Sequence, residues 1–113
     1  MTGSDVAATE LHPLCALADL EPEEGRCFEA AGRRIAVFRL EDGVFAIDDL
    51  CTHGHGYLSE GFVEAGEVEC PLHAGRFDIR SGCPRSAPVE KPVASHPVEV
   101  IDGMVHVRVA PET

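Results

Sequence analysis

The chain has 113 residues, enough for one hydrophobic core and too few for two. Nine Lys+Arg against 20 Asp+Glu leave a net charge of −11, which excludes a nucleic-acid-binding module, because a polyanion would be repelled rather than held by counterion release. A hydrophobic content of 44% is ordinary for a globular domain, so the acidity does not signal disorder, and no apolar run approaches the ~20 residues that cross a bilayer.

Residues 1–9 are small and polar and are expected to form a flexible tail. Met1-Thr2-Gly3-Ser4-Asp5 lacks the basic start and apolar stretch of a signal peptide, which predicts a soluble cytoplasmic protein without membrane association. Residues 10–113 then read as one domain, with turn residues at the short intervals of an all-β sandwich or barrel. Leu11 to Leu17 is a first short strand, followed by the acidic segment Asp19–Gly25 as an exposed loop. Arg26–Glu29 and Arg33–Leu40 flank the Ala31-Gly32 turn, and Glu41-Asp42-Gly43 returns the chain into Val44–Ile47. Val98–Ile101 and Met104–Val109 make a second hairpin about Asp102-Gly103, with Val105, Val107 and Val109 alternating with His106 and Arg108 at the period of a half-buried strand. No stretch shows helical periodicity. Between the hairpins, residues 51–92 are rich in Gly, Pro, Cys and His and carry few long apolar runs, so this insert must be organised by something other than its own core.

Five cysteines cannot pair completely within one chain, and a reducing compartment discourages disulfides, which raises the question of a metal. The insert contains Cys51-Thr52-His53 and Cys70-Pro71-Leu72-His73, each offering one thiolate and one imidazole close together. Four such ligands from two loops suit a tetrahedral zinc that only staples the fold. They equally suit a two-iron, two-sulfide cluster with both cysteines on one iron and both histidines on the other. The glycines in the loops, Gly54, Gly56, Gly61, Gly75 and Gly82, favour the cluster: backbone without side chains can approach bridging sulfides and donate N–H bonds to them, which a lone zinc does not require.

Cys51-Thr52-His53-Gly54, Cys70-Pro71-Leu72-His73, Phe77-Asp78 and Ala87-Pro88 resemble the Rieske iron–sulfur family, over roughly residues 11–109. The likeness is closest to the small Rieske-type ferredoxins of bacterial aromatic-ring-hydroxylating dioxygenase systems. It implies an antiparallel β-sandwich or barrel with a loop-rich cluster-binding subdomain, and one [2Fe–2S] cluster held by Cys51 and Cys70 on one iron and by His53 and His73 on the other. The imidazole edges would be the exit for the electron, and a loop resembling Ser86-Ala87-Pro88 would cover the cluster from a third side. Respiratory members of the family carry an extra cysteine in each motif; those positions hold Gly56 and Leu72 here, so no disulfide can tie the loops. Those members also place a serine and a tyrosine where Gly75 and Phe77 stand. Without these hydroxyl donors to the cluster, the lower part of the Rieske potential range is expected.

The resemblance implies a carrier that accepts one electron from a flavoprotein ferredoxin reductase and passes it to a terminal oxygenase, as a monomer and without transforming substrate itself. The chain shows no second iron site, no nucleophile motif and no phosphate-binding glycine loop. Two rivals are a small subunit of assimilatory nitrite reductase, some of which lack the ligands that this chain keeps, and a zinc-stapled binding module without redox role. Of the remaining groups, His55 reads as a solvated loop histidine and Cys15 and Cys27 as small buried hydrophobes. Cys83, after Gly82, is a candidate for an exposed, oxidisable thiol. His12, His96 and His106 are given no ligand role. Glu60, Glu64, Glu67 and Glu69 read as a solvated face with a steering role as the alternative.

Overall fold

Ile35, Ala36, Val37 and Phe38 follow one another in a single strand, and all four are fully buried. Successive side chains of a strand point to opposite faces, so a strand of this kind has to be covered on both sides. The computed structural model, which describes residues 11–52, 56–72, 75–86 and 91–109, shows how.

The middle layer is an antiparallel sheet in which β2 (Gly25–Ala30), β3 (Arg33–Leu40), β4 (Gly43–Asp48) and β9 (Ser95–His96) lie in the order β2-β3-β4-β9. One face presents Ile35, Val37 and Ala46 to Val105 and Val107 of β11 (Met104–Arg108) and to Val109 just beyond it. That strand is the centre of a second sheet, flanked by β1 (Leu11–Ala16) and β10 (Val98–Ile101). The opposite face presents Ala36, Phe38, Leu40 and Ile47 to Leu58, Val68, Phe77, Ile79 and Val93. These come from residues 49–94, which leave β4 and return to pair with it through β9. The returning segment carries a third antiparallel sheet of four short strands, β5 (Phe62–Glu64), β6 (Glu67–Glu69), β7 (Arg76–Asp78) and β8 (Pro84–Ser86), in chain order.

The hairpins expected about Ala31-Gly32, Glu41-Asp42 and Asp102-Gly103 are present, and β1 ends one residue earlier than expected. Three two-residue turns place both residues at positive φ: Ala31-Gly32 (53°, 77°), Ala65-Gly66 (55°, 78°) and Asp102-Gly103 (51°, 78°). This is the type I′ geometry whose twist matches that of the flanking strands.

Two expectations need correction. Leu20, in the supposed exposed loop, is only 1% exposed and belongs to the core beneath β11, because the chain makes a 3₁₀ turn over Leu17–Asp19 that directs it inward. The insert does have apolar packing of its own: Leu58, Val68 and Phe77 are fully buried against the middle sheet. Each sits singly between charged or polar neighbours in a very short element, so no run betrays it. The tail expected for residues 1–9 lies outside the described residues.

Candidate metal centre

The two cysteine motifs occupy equivalent positions in two equivalent loops. Leu50 bridges to Tyr57 and Glu69 pairs with Arg76, so each neck closes a six-residue loop that begins with cysteine and ends with glycine. Inside each, the cysteine amide donates to the glycine carbonyl: Cys51 to Gly56 at 2.9 Å and Cys70 to Gly75 at 2.8 Å. Both cysteines are buried, at 2% and 1% exposure.

Gly56 joins the two loops. A Cβ at this position would stand 2.5 Å from Sγ of Cys70 and 3.4 Å from Cγ of Leu72, while its carbonyl already holds the Cys51 amide. The site is therefore built around side-chain-free backbone next to a buried sulfur, an arrangement in which Cys51 and Cys70 could hold a metal group. The expected histidine ligands His53 and His73, and also His55, lie outside the described residues, as do Ala87 and Pro88 of the expected covering loop. The flanks of that expected segment are tied to the first loop and to the neck of the second: the Thr52 hydroxyl donates to the Lys91 carbonyl at 2.8 Å, and the Arg76 amide to Ser86 Oγ at 3.1 Å.

Sequence reasoning missed the residues that hold the first loop. Asp49, two positions before Cys51, is completely buried. Its carboxylate accepts from the Ser59 amide at 2.7 Å and from Arg34 Nε at 2.5 Å, and its carbonyl accepts from the Leu58 amide at 2.6 Å. Beside it, Asp48 accepts a two-pronged bond from Arg33 Nη2 (2.9 and 3.2 Å) and lies 2.8 Å from His96 Nε2. Burial alone would push the Asp48 carboxyl up, but the bonds from His96 and Arg33 outweigh it and hold the group below the usual carboxylate range. The available signal was the complementary pair Arg33-Arg34 and Asp48-Asp49, which the β3–β4 hairpin brings to one end of the pairing, with Asp48 opposite Ile35 and the Asp49 amide on the Arg34 carbonyl.

The acidic residues between the motifs are organised. Glu64, Glu67 and Glu69 converge on Arg76 at 3.0, 3.4 and 3.4 Å, whereas Glu60 is simply exposed. Three carboxylates around one guanidinium leave negative charge beside the second loop. Leu50 and Tyr57 at the first neck and Leu72 in the second loop are exposed apolar groups (49, 36 and 63%).

His96 is buried on Asp48, and the His106 ring contacts the Met104 carbonyl at 3.0 Å, in keeping with structural roles. Cys83 is exposed, as considered. Cys15 and Cys27 are only half-buried; burial pushes both thiols up, with Asp49 adding to the effect at Cys27.

Comparison with known proteins agrees with this geometry. The family described as Rieske [2Fe-2S] domain matches residues 10–97. The anthranilate 1,2-dioxygenase ferredoxin subunit of Burkholderia cepacia is 47% identical over 106 residues, covering 94% of this chain and 98% of that protein. Among solved structures, the ferredoxin of carbazole 1,9a-dioxygenase from Nocardioides aromaticivorans IC177 superposes with a TM-score of 0.83 at 38% identity, over 89% of this chain and 99% of that one. A chain in the complex of reduced oxygenase and oxidized ferredoxin in carbazole 1,9a-dioxygenase gives a TM-score of 0.84 at 36% identity, over 91% and 96%. With the match spanning most of its length, the two looped cysteines and the glycine between them find their explanation: the chain belongs to the Rieske [2Fe–2S] family.

Proposed function

We propose that this protein is the ferredoxin component of an aromatic-ring dioxygenase system, an electron carrier and not itself an enzyme. It would take one electron from a flavoprotein reductase and deliver it to a terminal oxygenase, acting as a monomer in the cytoplasm. The observation that carries this reading is the convergence of both ligand loops at Gly56, in a chain that matches dioxygenase ferredoxin components over nearly its whole length. In this reading residues 10–113 are one cluster-carrying unit, and residues 51–92 are its cluster-binding part.

Membership of the family implies one [2Fe–2S] cluster, whose contribution when bound is reversible one-electron reduction. Cys51 and Cys70 would hold one iron, and His53 and His73 the other. The remaining work falls to the chain. The buried cysteines keep water from the sulfur side, and the two necks fix the loops so that little rearranges when the charge changes. Leu50, Tyr57 and Leu72 supply apolar surface at the ligand loops, with the Glu64, Glu67 and Glu69 carboxylates alongside the second loop. That combination suits brief docking on a basic partner, with rates that fall as salt screens the attraction. Among the described residues no helix is long and apolar enough to cross a membrane.

Absorption and low-temperature EPR of the reduced, anaerobically prepared protein test the cofactor, and reoxidation by a dioxygenase terminal component tests the role. A rhombic reduced-state signal that disappears on mixing with oxygenase is the expected result. A colourless protein with stoichiometric zinc would establish the binding-module alternative instead. Electron delivery to a nitrite reductase large subunit and not to an oxygenase would favour the assimilatory reading.

A further inference from the structure

Arg34 lies in β3, remote in sequence from both cysteine motifs, yet it touches both stems of the first ligand loop. Its Nε donates to Asp49 Oδ2 at 2.5 Å, and its guanidinium carbon stands 4.0 Å from the centroid of the Tyr57 ring. Asp49 enters the loop and Tyr57 leaves it. The backbone reinforces the clasp, since the Asp49 amide donates to the Arg34 carbonyl at 3.0 Å. A planar guanidinium can donate in its plane while stacking through its face, which a lysine ammonium cannot do.

The charges are unevenly placed. The Asp49 side chain has no exposure at all, whereas that of Arg34 is 40% exposed. A buried carboxylate needs a charged or hydrogen-bonded partner. Here the partners are the Ser59 amide and the half-exposed guanidinium, with the half-buried Cys27 thiol alongside. At the second neck, by contrast, Glu69 and Arg76 are each about a third exposed, so water screens that pair.

We propose that Arg34 is a positioning residue for the electron-transfer centre. Acting through Asp49 and Tyr57, it fixes the stems of the first ligand loop and balances a buried negative charge two residues from Cys51. The reduction potential then depends on the charge of Arg34, and the order of the loop depends on its plane. This rests on the assignment of Cys51 as a ligand.

The test uses the full-length, cluster-loaded protein and three variants: Arg34→Gln, Arg34→Lys, and Arg34→Gln combined with Asp49→Asn. Redox equilibration at neutral pH and EPR line widths of the reduced state are measured. Arg34→Gln leaves the buried carboxylate unbalanced and should lower the potential, displacing one-electron exchange with the parent by at least about threefold, ~28 mV at 59 mV per decade. The double variant should return towards the parent, and Arg34→Lys should keep the potential while broadening the lines. An unshifted Arg34→Gln, or a double variant displaced as far as the single one, would overturn the proposal. If Arg34→Gln does not take up the cluster, Asp49→Asn carries the test, because it must shift the potential upwards; no shift overturns the proposal equally. Failure of the ligand assignment shows separately, as an unchanged visible spectrum in Cys51→Ala.

Discussion

Gly56 and Cys70 come from different loops, 14 positions apart, yet a Cβ on the glycine would stand 2.5 Å from the cysteine sulfur. The same glycine accepts the Cys51 amide through its carbonyl, so it cannot retreat without opening the first loop. Gly56→Ala should therefore load poorly with cluster while its sheets still form. Overpacking of this kind costs about 1–3 kcal/mol, and the loops rather than the sheets would yield. Iron and acid-labile sulfide per chain should fall well below the parent, with an unchanged far-ultraviolet circular dichroism spectrum; parental iron content would show that the loops part without harm.

Ala31 and Ala65 occupy the first position of type I′ turns with φ of 53° and 55°. The left-handed region disfavours a residue with a Cβ, whereas asparagine tolerates it through local hydrogen bonding. At Ala31, an exposed turn residue, Asn should stabilise the protein by about 0.5–1 kcal/mol. A higher urea midpoint with an unchanged slope is the expected result, and a midpoint at or below that of the parent would contradict it.

The second hairpin was legible because Val105 and Val107 alternate with His106 and Arg108 over a full strand, so period 2 had room to show. The third sheet was not, since its strands last three residues each: Val68 is flanked by Glu67 and Glu69, and Phe77 by Arg76 and Asp78. A single apolar residue between charges carries no period, and its burial comes from a sheet whose strands lie far away in the chain. The consecutive run Ile35–Phe38 did hold the needed information, because a strand without alternation calls for cover on both faces. The cysteine spacing pointed to metal chemistry, the family match supports a [2Fe–2S] cluster, and the structure brings the loops of Cys51 and Cys70 together at Gly56. Asp49 stayed hidden for the opposite reason: an Asp-Asp pair before a loop looks solvated, and only the register reveals that Arg34 lies across from it.

Asp48 sets an acid limit. Its folded-state carboxyl lies below the usual carboxylate range, so the unfolded chain takes up a proton first as pH falls. Its stabilisation is thus complete above the ordinary carboxylate pKa of about 4 and is lost as pH drops through the folded value. Asp48→Asn should cost about 1.5–3 kcal/mol at neutral pH, the usual loss for hydrogen bonds to a charged group. It should also flatten the decline in stability below about pH 4. Thermal midpoints of the two proteins between acidic and neutral pH decide the matter: parallel curves would mean that Asp48 does not contribute to the acid limit.

Phe77 links the third sheet to the middle one. It is fully buried in the same apolar cluster as Phe38, Leu58 and Ile47, and Cys51 and Cys70 belong to that cluster as well. The packing that joins the layers is thus also the packing around the two cysteines proposed as ligands, and the two should fail together. Phe77→Ala should cost about 3–5 kcal/mol, in the range for emptying a buried aromatic site. Visible absorbance and far-ultraviolet dichroism should be lost at one shared, lowered denaturant midpoint. Val107→Ala, in the cluster on the other face of the middle sheet, should lower the dichroism midpoint while leaving the visible spectrum of the folded protein unchanged. If Phe77→Ala instead bleached the cluster well before the sheets unfolded, the ligand loops would have to be held by the iron and their two necks alone, and not by the core that Phe77 completes.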